Sequence, residues 1–330
     1  MKEEFLSNII KQNYDLDIEE VEKIKNVYKL KTKDNTYCLK VINYEYPHFL
    51  FIVSAIKHLQ RNGFDKIPEI IKTKENFDYI KLDNKYAYLT EWVLGRESNY
   101  DNPIELKKVA IKLGELHKCS EGFNVDSRMK PRIGWFSWIK VFETRRSEIL
   151  DFKNRIEQKA YRDTFDDLYY SYINQEINRA NKAIIGLKKS NYINYMEKEV
   201  FKRGFCHHDY ANHNVIVDNN GNLNIIDFDY CILDSNIHDL SSLIIRTMKH
   251  GKWDINKANN IIKDYSTSNK VGDEAFSIMK EFIRFPQAFW QIGIQKYWEQ
   301  QPWNEELFLS KFSKYVEDIK DRESFVESFY

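Results

Sequence analysis

The chain has 330 residues, enough for about two domains or lobes at the usual size of roughly 150 residues each. Hydrophobic residues make up 42% and charged residues 30%, with only 11 Gly and 6 Pro, which excludes collagen and low-complexity disorder. Lys+Arg (50) and Asp+Glu (50) cancel to a formal charge of zero, so no global basic excess supports nucleic-acid binding.

The longest strongly apolar run, Phe49–Ile56, falls far short of the roughly 18 residues of a membrane span. The start, Met1-Lys2-Glu3-Glu4, lacks the basic and then apolar character of a secretory signal. The four cysteines, Cys38, Cys119, Cys206 and Cys231, form no CxxC pair, and a chain of this length needs no disulfide scaffold. A reduced, cytoplasmic protein with free thiols and no nucleic-acid or membrane partner is expected.

In chain order, the first part reads as strands with one helix. Asn26–Lys31 and Thr36–Ile42 are β-rich runs around the turn residues Lys33-Asp34-Asn35. Pro47 opens an apolar stretch that Asn62-Gly63 closes, and its length predicts a helix over Pro47–Asn62. Asp78–Leu82 and Tyr86–Trp92 read as strands around Asp83-Asn84. Gly95 to Asn102 is a polar connector. Asp101-Asn102-Pro103 then starts a helix whose Leu106, Val109, Ala110, Leu113, Leu116 and His117 make one apolar face. Residues 135–200 read as mostly helical. Val215–Val217 and Leu223–Ile226 form a hairpin around Asp218-Asn219-Asn220-Gly221, and the chain from Asp239 onward reads as helices. The expected architecture is a small β-rich lobe over residues 1–93 and a larger, mainly helical lobe over 94–330.

The strongest chemical signal is His207-His208-Asp209 followed by Asn214, the hairpin, and then Asp227-Phe228-Asp229. A lone His-x-Asp or Asp-Phe-Asp says little, but ordered and separated by a hairpin they match a phosphoryl-transfer site. Such a site needs a carboxylate near the attacking hydroxyl, here Asp209. It also needs hard oxygen donors to hold Mg²⁺ against nucleotide phosphates, here Asn214 and Asp227. His207 orients the loop. A rival reading gathers Cys206, His207, His208, Asp209 and His213 as a transition-metal cluster, but the segment runs straight into a strand and lacks a fixed helical His spacing.

Lys40, in Tyr37-Cys38-Leu39-Lys40-Val41-Ile42, resembles the strand lysine that reaches nucleotide phosphates, and alternation sets it on the opposite face from Leu39 and Val41. Glu91, Trp92 and Val93, at the junction of the lobes, are placed to meet a nucleobase through their backbone. His238-Asp239-Leu240 opens a helix, where Asp239 caps it or braces the catalytic loop.

With these residues assembled, the chain resembles the aminoglycoside-phosphotransferase and choline-kinase superfamily. The motif Leu113-Gly114-Glu115-Leu116-His117 adds to the likeness. Within that superfamily it resembles the CotS family of spore-coat proteins. The marks are Phe49-Leu50-Phe51-Ile52, His58-Leu59, Asn62-Gly63, Glu91-Trp92-Val93-Leu94-Gly95-Arg96-Glu97 and Phe285-Pro286-Gln287-Ala288-Phe289-Trp290. The resemblance implies an α+β, protein-kinase-like two-lobe fold, ATP and Mg²⁺ as cofactors, and spore-coat proteins as partners.

The short interval from Asp227 to Asp239 leaves no room for the long activation segment of a protein kinase, and Ala211 stands where serine/threonine kinases carry Lys. A small hydroxyl-bearing substrate is therefore favoured over a protein. Two features depart from an active kinase. The loop at Lys25-Asn26-Val27-Tyr28 has no Gly to admit phosphates closely. The helix Pro47–Asn62 has no Glu or Asp to pair with Lys40, and the nearest acid is Glu45.

Aromatic residues among Trp135–Trp138, Tyr169–Tyr172 and Trp290–Trp303 suit core packing better than a cage for a quaternary ammonium. Asp163, Asp166 and Asp167 read as a solvated helix face rather than a receptor for an amine. The favoured function is an ATP/Mg²⁺-dependent phosphotransferase acting on a small molecule. The alternative is a non-catalytic coat protein of the same fold.

Overall fold

The computed structural model describes residues 3–329. In chain order the first elements are helix α1 (Glu3–Tyr14), strands β1 (Glu20–Ile24), β2 (Val27–Lys31) and β3 (Thr36–Ile42), and helix α2 (Tyr46–Arg61). Strands β4 (Ile70–Ile71), β5 (Ile80–Leu82), β6 (Lys85–Glu91) and β7 (Gly95–Glu97) follow, then helices α3 (Pro103–Ser120), α4 (Trp138–Glu157), α5 (Thr164–Lys189) and α6 (Tyr192–Lys202). After strands β8 (Val215–Asp218) and β9 (Leu223–Ile225) come α7 (Ile237–Met248), α8 (Ile255–Tyr265), α9 (Glu274–Arg284), α10 (Gln287–Gly293), α11 (Glu305–Glu317) and α12 (Ile319–Ser328). These residues form two compact units. One holds the described residues up to Ile133 with Arg203–Leu233, and the other holds Gly134–Lys202 with the described residues from Asp234 onward.

The first unit is built on an antiparallel sheet of order β1-β2-β3-β6-β4, with β5 also on β6. Its two faces follow from alternation along the strands. Leu39, Val41, Ala87 and Leu89 point into a core closed by Leu6, Ile10 and Tyr14 of α1. Cys38, Lys40, Tyr88 and Thr90 point the other way. Helix α2 starts with Pro47 in its first turn, where the fixed φ suits a helix, and ends before Gly63 at φ 85°. It buries Phe49, Ile52 and Ile56, and Phe49 stacks on Tyr86 at 5.2 Å between ring centroids. The Asn102 side chain accepts from the Ile104 and Glu105 amides and caps α3, worth about 1 kcal/mol.

The β8–β9 hairpin forms as expected, its turn held by Asp218 Oδ1, which accepts from the Asn220 and Asn222 amides. The polar connector, however, contains a strand. β7 pairs with β8 through Gly95↔Asp218 and Arg96↔Val217. All three of its residues are exposed, so no apolar alternation marked it. Helix α1 and strands β1 and β4 are likewise additions to the sequence reading. β1 is mostly exposed, and β4 is two residues long.

The second unit is helical, with a core where α4, α5, α10 and α11 meet around Phe152, Phe165, Tyr169, Phe289 and Phe312. Tyr169 stacks on Phe289 at 4.1 Å, so this part of the aromatic run is packing. The trio Asp163, Asp166 and Asp167 is not a solvated face. Asp163 and Asp166 form a capping box at the start of α5, and Asp166 is fully buried, accepting from Lys159 at 2.6 Å and from the Tyr297 hydroxyl at 3.0 Å. Only Asp167 is exposed. Among the described residues no helix is long and apolar enough to cross a membrane, and the four cysteines are free thiols.

Candidate active site

The residues singled out for phosphoryl transfer, apart from Asp239, lie within the first unit. Lys40 rises from the middle of β3 on the face opposite Leu39 and Val41. Only 5% of it is exposed, and its Nζ lies 3.0 Å from Asp227 Oδ1 and 3.1 Å from Asp229 Oδ2. A lysine and a carboxylate 187 positions apart in sequence are thus in direct contact.

Asp209 and Asn214 belong to one loop, tightened by a 3₁₀ turn over Asn212–Asn214. Asn214 Nδ2 donates to the Asp209 carbonyl at 2.9 Å and to its carboxylate Oδ2 at 3.0 Å. This fixes the carboxylate and turns the Asn214 amide oxygen away from Asp209. His207 is fully buried. Its Nε2 donates to the Ile226 carbonyl at 2.9 Å, which leaves Nδ1 to accept from the Asp209 amide at 3.3 Å. Ile226 in turn donates its amide to the Asn214 carbonyl at 3.0 Å. His207 and Asn214 therefore tie the loop to the segment that carries Asp227. The rival metal cluster does not assemble. Cys206 and His207 are buried, the His213 side chain is 52% exposed, and among the described residues this set never brings three donor atoms together.

Two residues of the site occupy the left-handed region, His208 at φ 69° and Asp227 at φ 65°. Such strain is kept where a rigid surround over-determines it, commonly at active sites. Asp227 opens a second 3₁₀ turn, Phe228–Tyr230, which places Asp229 beside it. Burial opposes the charge of Asp227, but Lys40 outweighs it and holds the carboxyl below its ordinary range. Burial, reinforced by Asp227, pushes Asp229 up to about 7. Burial also works against the Lys40 ammonium, and the two carboxylates more than offset it. Asp229 Oδ1 is buried and has no hydrogen-bond partner among the described residues.

Beside this cluster lies a cavity of about 240 Å³, lined mostly by apolar side chains such as Val27, Ile56, Ile67 and Ile225, with Lys40 and Asp227 at its polar end. Glu91, Trp92 and Val93 line it as well. The Trp92 amide is engaged inside the sheet, donating to the Thr36 carbonyl at 2.9 Å. Asp239 is buried in the first turn of α7, in the second unit.

The two departures from an active kinase stand in the structure. Glu45 precedes α2 as its N-cap and makes no pair with Lys40, whose acidic partners are Asp227 and Asp229. The glycine-less loop is a two-residue turn between β1 and β2, with Lys25 at φ 53° and the Asn26 side-chain Nδ2 donating to Asp229 Oδ2 at 3.5 Å.

Residues 7–329 match the family model described as "Spore coat putative kinase YutH". The chain belongs to this spore-coat YutH family. It is 22% identical over 305 residues to Spore coat protein S of Bacillus subtilis (strain 168), covering 92% of this chain and 86% of that protein. Its fold matches that of an aminoglycoside phosphotransferase from Alicyclobacillus acidocaldarius, with a TM-score of 0.84 at 22% identity, covering 96% and 92% of the two chains. Spectinomycin phosphotransferase APH(9)-Ia, solved with ADP and spectinomycin, matches at 0.68 with 18% identity over 98% of both chains. The choline kinase LicA from Streptococcus pneumoniae matches at 0.53 with 16% identity, again over 98% of both. The YutH-family chain thus has the kinase-like phosphotransferase fold. Asp229 gained no role from the sequence, although its place two residues after Asp227, in a chain with no acid on α2, was a usable signal.

Proposed function

We propose that this YutH-family protein is an ATP- and Mg²⁺-dependent phosphotransferase acting on a hydroxyl of a small molecule. The observation that carries the reading is the direct contact of Lys40 with Asp227 beside a mostly apolar cavity, with Asp209 held by Asn214 on the same unit. The cavity takes the nucleobase, which meets the Glu91 carbonyl and the Val93 amide because the Trp92 amide is already engaged. Lys40 reaches a phosphate oxygen. Asp209 accepts the proton of the substrate hydroxyl, and Asn214 keeps its carboxylate aimed. The donor set fits a hard cation: the Asn214 amide oxygen and the Asp227 carboxylate are both oxygen donors. When bound, Mg²⁺ supplies charge neutralisation of the phosphates. The fold of solved relatives bound to ADP, and kinship with Spore coat protein S, support nucleotide use and association with spore-coat proteins after cytoplasmic synthesis.

A thermal-shift titration with ATP, with and without Mg²⁺, tests the site. A ligand at a hundredfold excess over its Kd adds about 2.7 kcal/mol of stability. A Mg²⁺-dependent shift is expected in the wild type and lost in Asp227→Ala. Asp209→Ala is expected to keep the shift and lose turnover. The second reading, a non-catalytic coat protein, is favoured by the acid-free α2 and the glycine-less turn. Absence of any shift in the wild type would establish it and sink the first.

A further inference from the structure

We propose that Asp229 is the positioning residue for Lys40, standing in for the acid that α2 does not provide. The inference rests on the phosphotransferase reading and deepens it. A buried ammonium needs a counter-ion, because stripping its hydration without compensation costs several kcal/mol. Helix α2 supplies none: Ile56 is its residue on the cavity that Lys40 lines, and it is buried and apolar. Lys40 therefore sits between Asp227 at 3.0 Å and Asp229 at 3.1 Å. These two carboxylates are not equivalent. Asp227 is the donor that a bound cation would engage, and its side chain is 32% exposed. Asp229 is enclosed, at 11%.

Asp229 is also rigidly mounted. It lies inside the Phe228–Tyr230 turn, which is closed by the Cys231 amide donating to the Phe228 carbonyl at 3.0 Å. Its Oδ2 faces both Lys40 Nζ and the Asn26 side-chain Nδ2, so one oxygen links the strand lysine to the β1–β2 turn. With Asp227 engaged by a bound cation, Asp229 would keep Lys40 aimed.

The test is a double-mutant cycle on binding of Mg²⁺ with a fluorescent methylanthraniloyl ATP analogue to the full chain. Lys40→Met and Asp229→Asn are each expected to weaken binding at least about tenfold, and the double variant to bind within about twofold of Lys40→Met. Losses that multiply in the double variant would mean that Asp229 acts independently of Lys40, as a metal ligand does, and would overturn the proposal. So would Asp229→Asn binding as tightly as the wild type. A wild type that binds no nucleotide refutes the phosphotransferase reading itself, and the role of Asp229 with it. Adding Ile56→Glu to Asp229→Asn returns an acid from α2 and is expected to restore most of the lost affinity. A variant that had merely lost its fold would not recover, and failure of a folded double variant to recover counts against the proposal.

Discussion

Removing the Lys40 ammonium is the sharpest test of how the site is held together. In Lys40→Met the side chain keeps its bulk, while two carboxylates lose their shared cation. The Asp229 side chain is 11% exposed and that of Asp227 32%. Breaking a buried pair by removing one partner costs about 3–5 kcal/mol, and the partial exposure of Asp227 places this case near about 3 kcal/mol. With a urea m-value of about 3 kcal/mol/M, the unfolding midpoint followed by tryptophan fluorescence should fall by about 1 M. The deficit should depend on pH. Asp229 already sits near 7, above its ordinary value, through burial and then Asp227. Losing the ammonium removes the cation that lowers Asp229, so its folded value stays above the unfolded one, and its contribution is full below about pH 4 and is lost as pH rises through 7. The variant should therefore be closer to wild type at pH 5 than at pH 8. Adding Asp229→Asn should return about half of the loss, since one orphan carboxylate remains. A deficit under about 1 kcal/mol at pH 8 would show that the cluster is not the buried ion network described here.

Two further outcomes are expected. Asp234 is fully buried in the second unit, and burial raises its carboxyl to about 6 despite His238 and the Trp138 indole, which donates to it at 2.9 Å. Its folded value exceeds the ordinary one, so its contribution is full below about pH 4 and lost as pH rises through 6. Asp234→Asn should flatten the stability curve in that window, a difference of about 3 kcal/mol at pH 7 read by urea unfolding. At Gly95 a β-carbon would overlap the Val217 carbonyl oxygen and meet Ile216 Cγ2 at 2.8 Å. Gly95→Ala should cost about 1–3 kcal/mol and strip hydrogen-exchange protection from the β7–β8 pair, and unchanged protection would refute that close approach.

Much of the fold was legible because its signals are local. Pro47 and Gly63 bracket α2, Asn102-Pro103 starts α3, and Asp218 to Gly221 turns the hairpin, each through backbone chemistry within a few residues. Alternation alone separated Lys40 from Leu39 and Val41. Helix α1 carried a readable signal too, in Leu6, Ile10 and Tyr14 at helical spacing, whereas β7 exposes every side chain and left none. The fate of Asp163 and Asp166 was not legible, since spacing cannot tell a capping box closed by Lys159 and Tyr297 from a wet acidic face.

By itself the sequence determined the residue types of the site, their order along the chain, and the absence of an acid on α2. Only the tertiary structure decided which acid meets Lys40. Local periodicity relates a strand to its own turns and faces, but no period connects β3 to a turn 187 residues later. That contact exists because His207 and Asn214 fix the Ile226 backbone, and the left-handed Asp227 swings Asp229 back against the sheet.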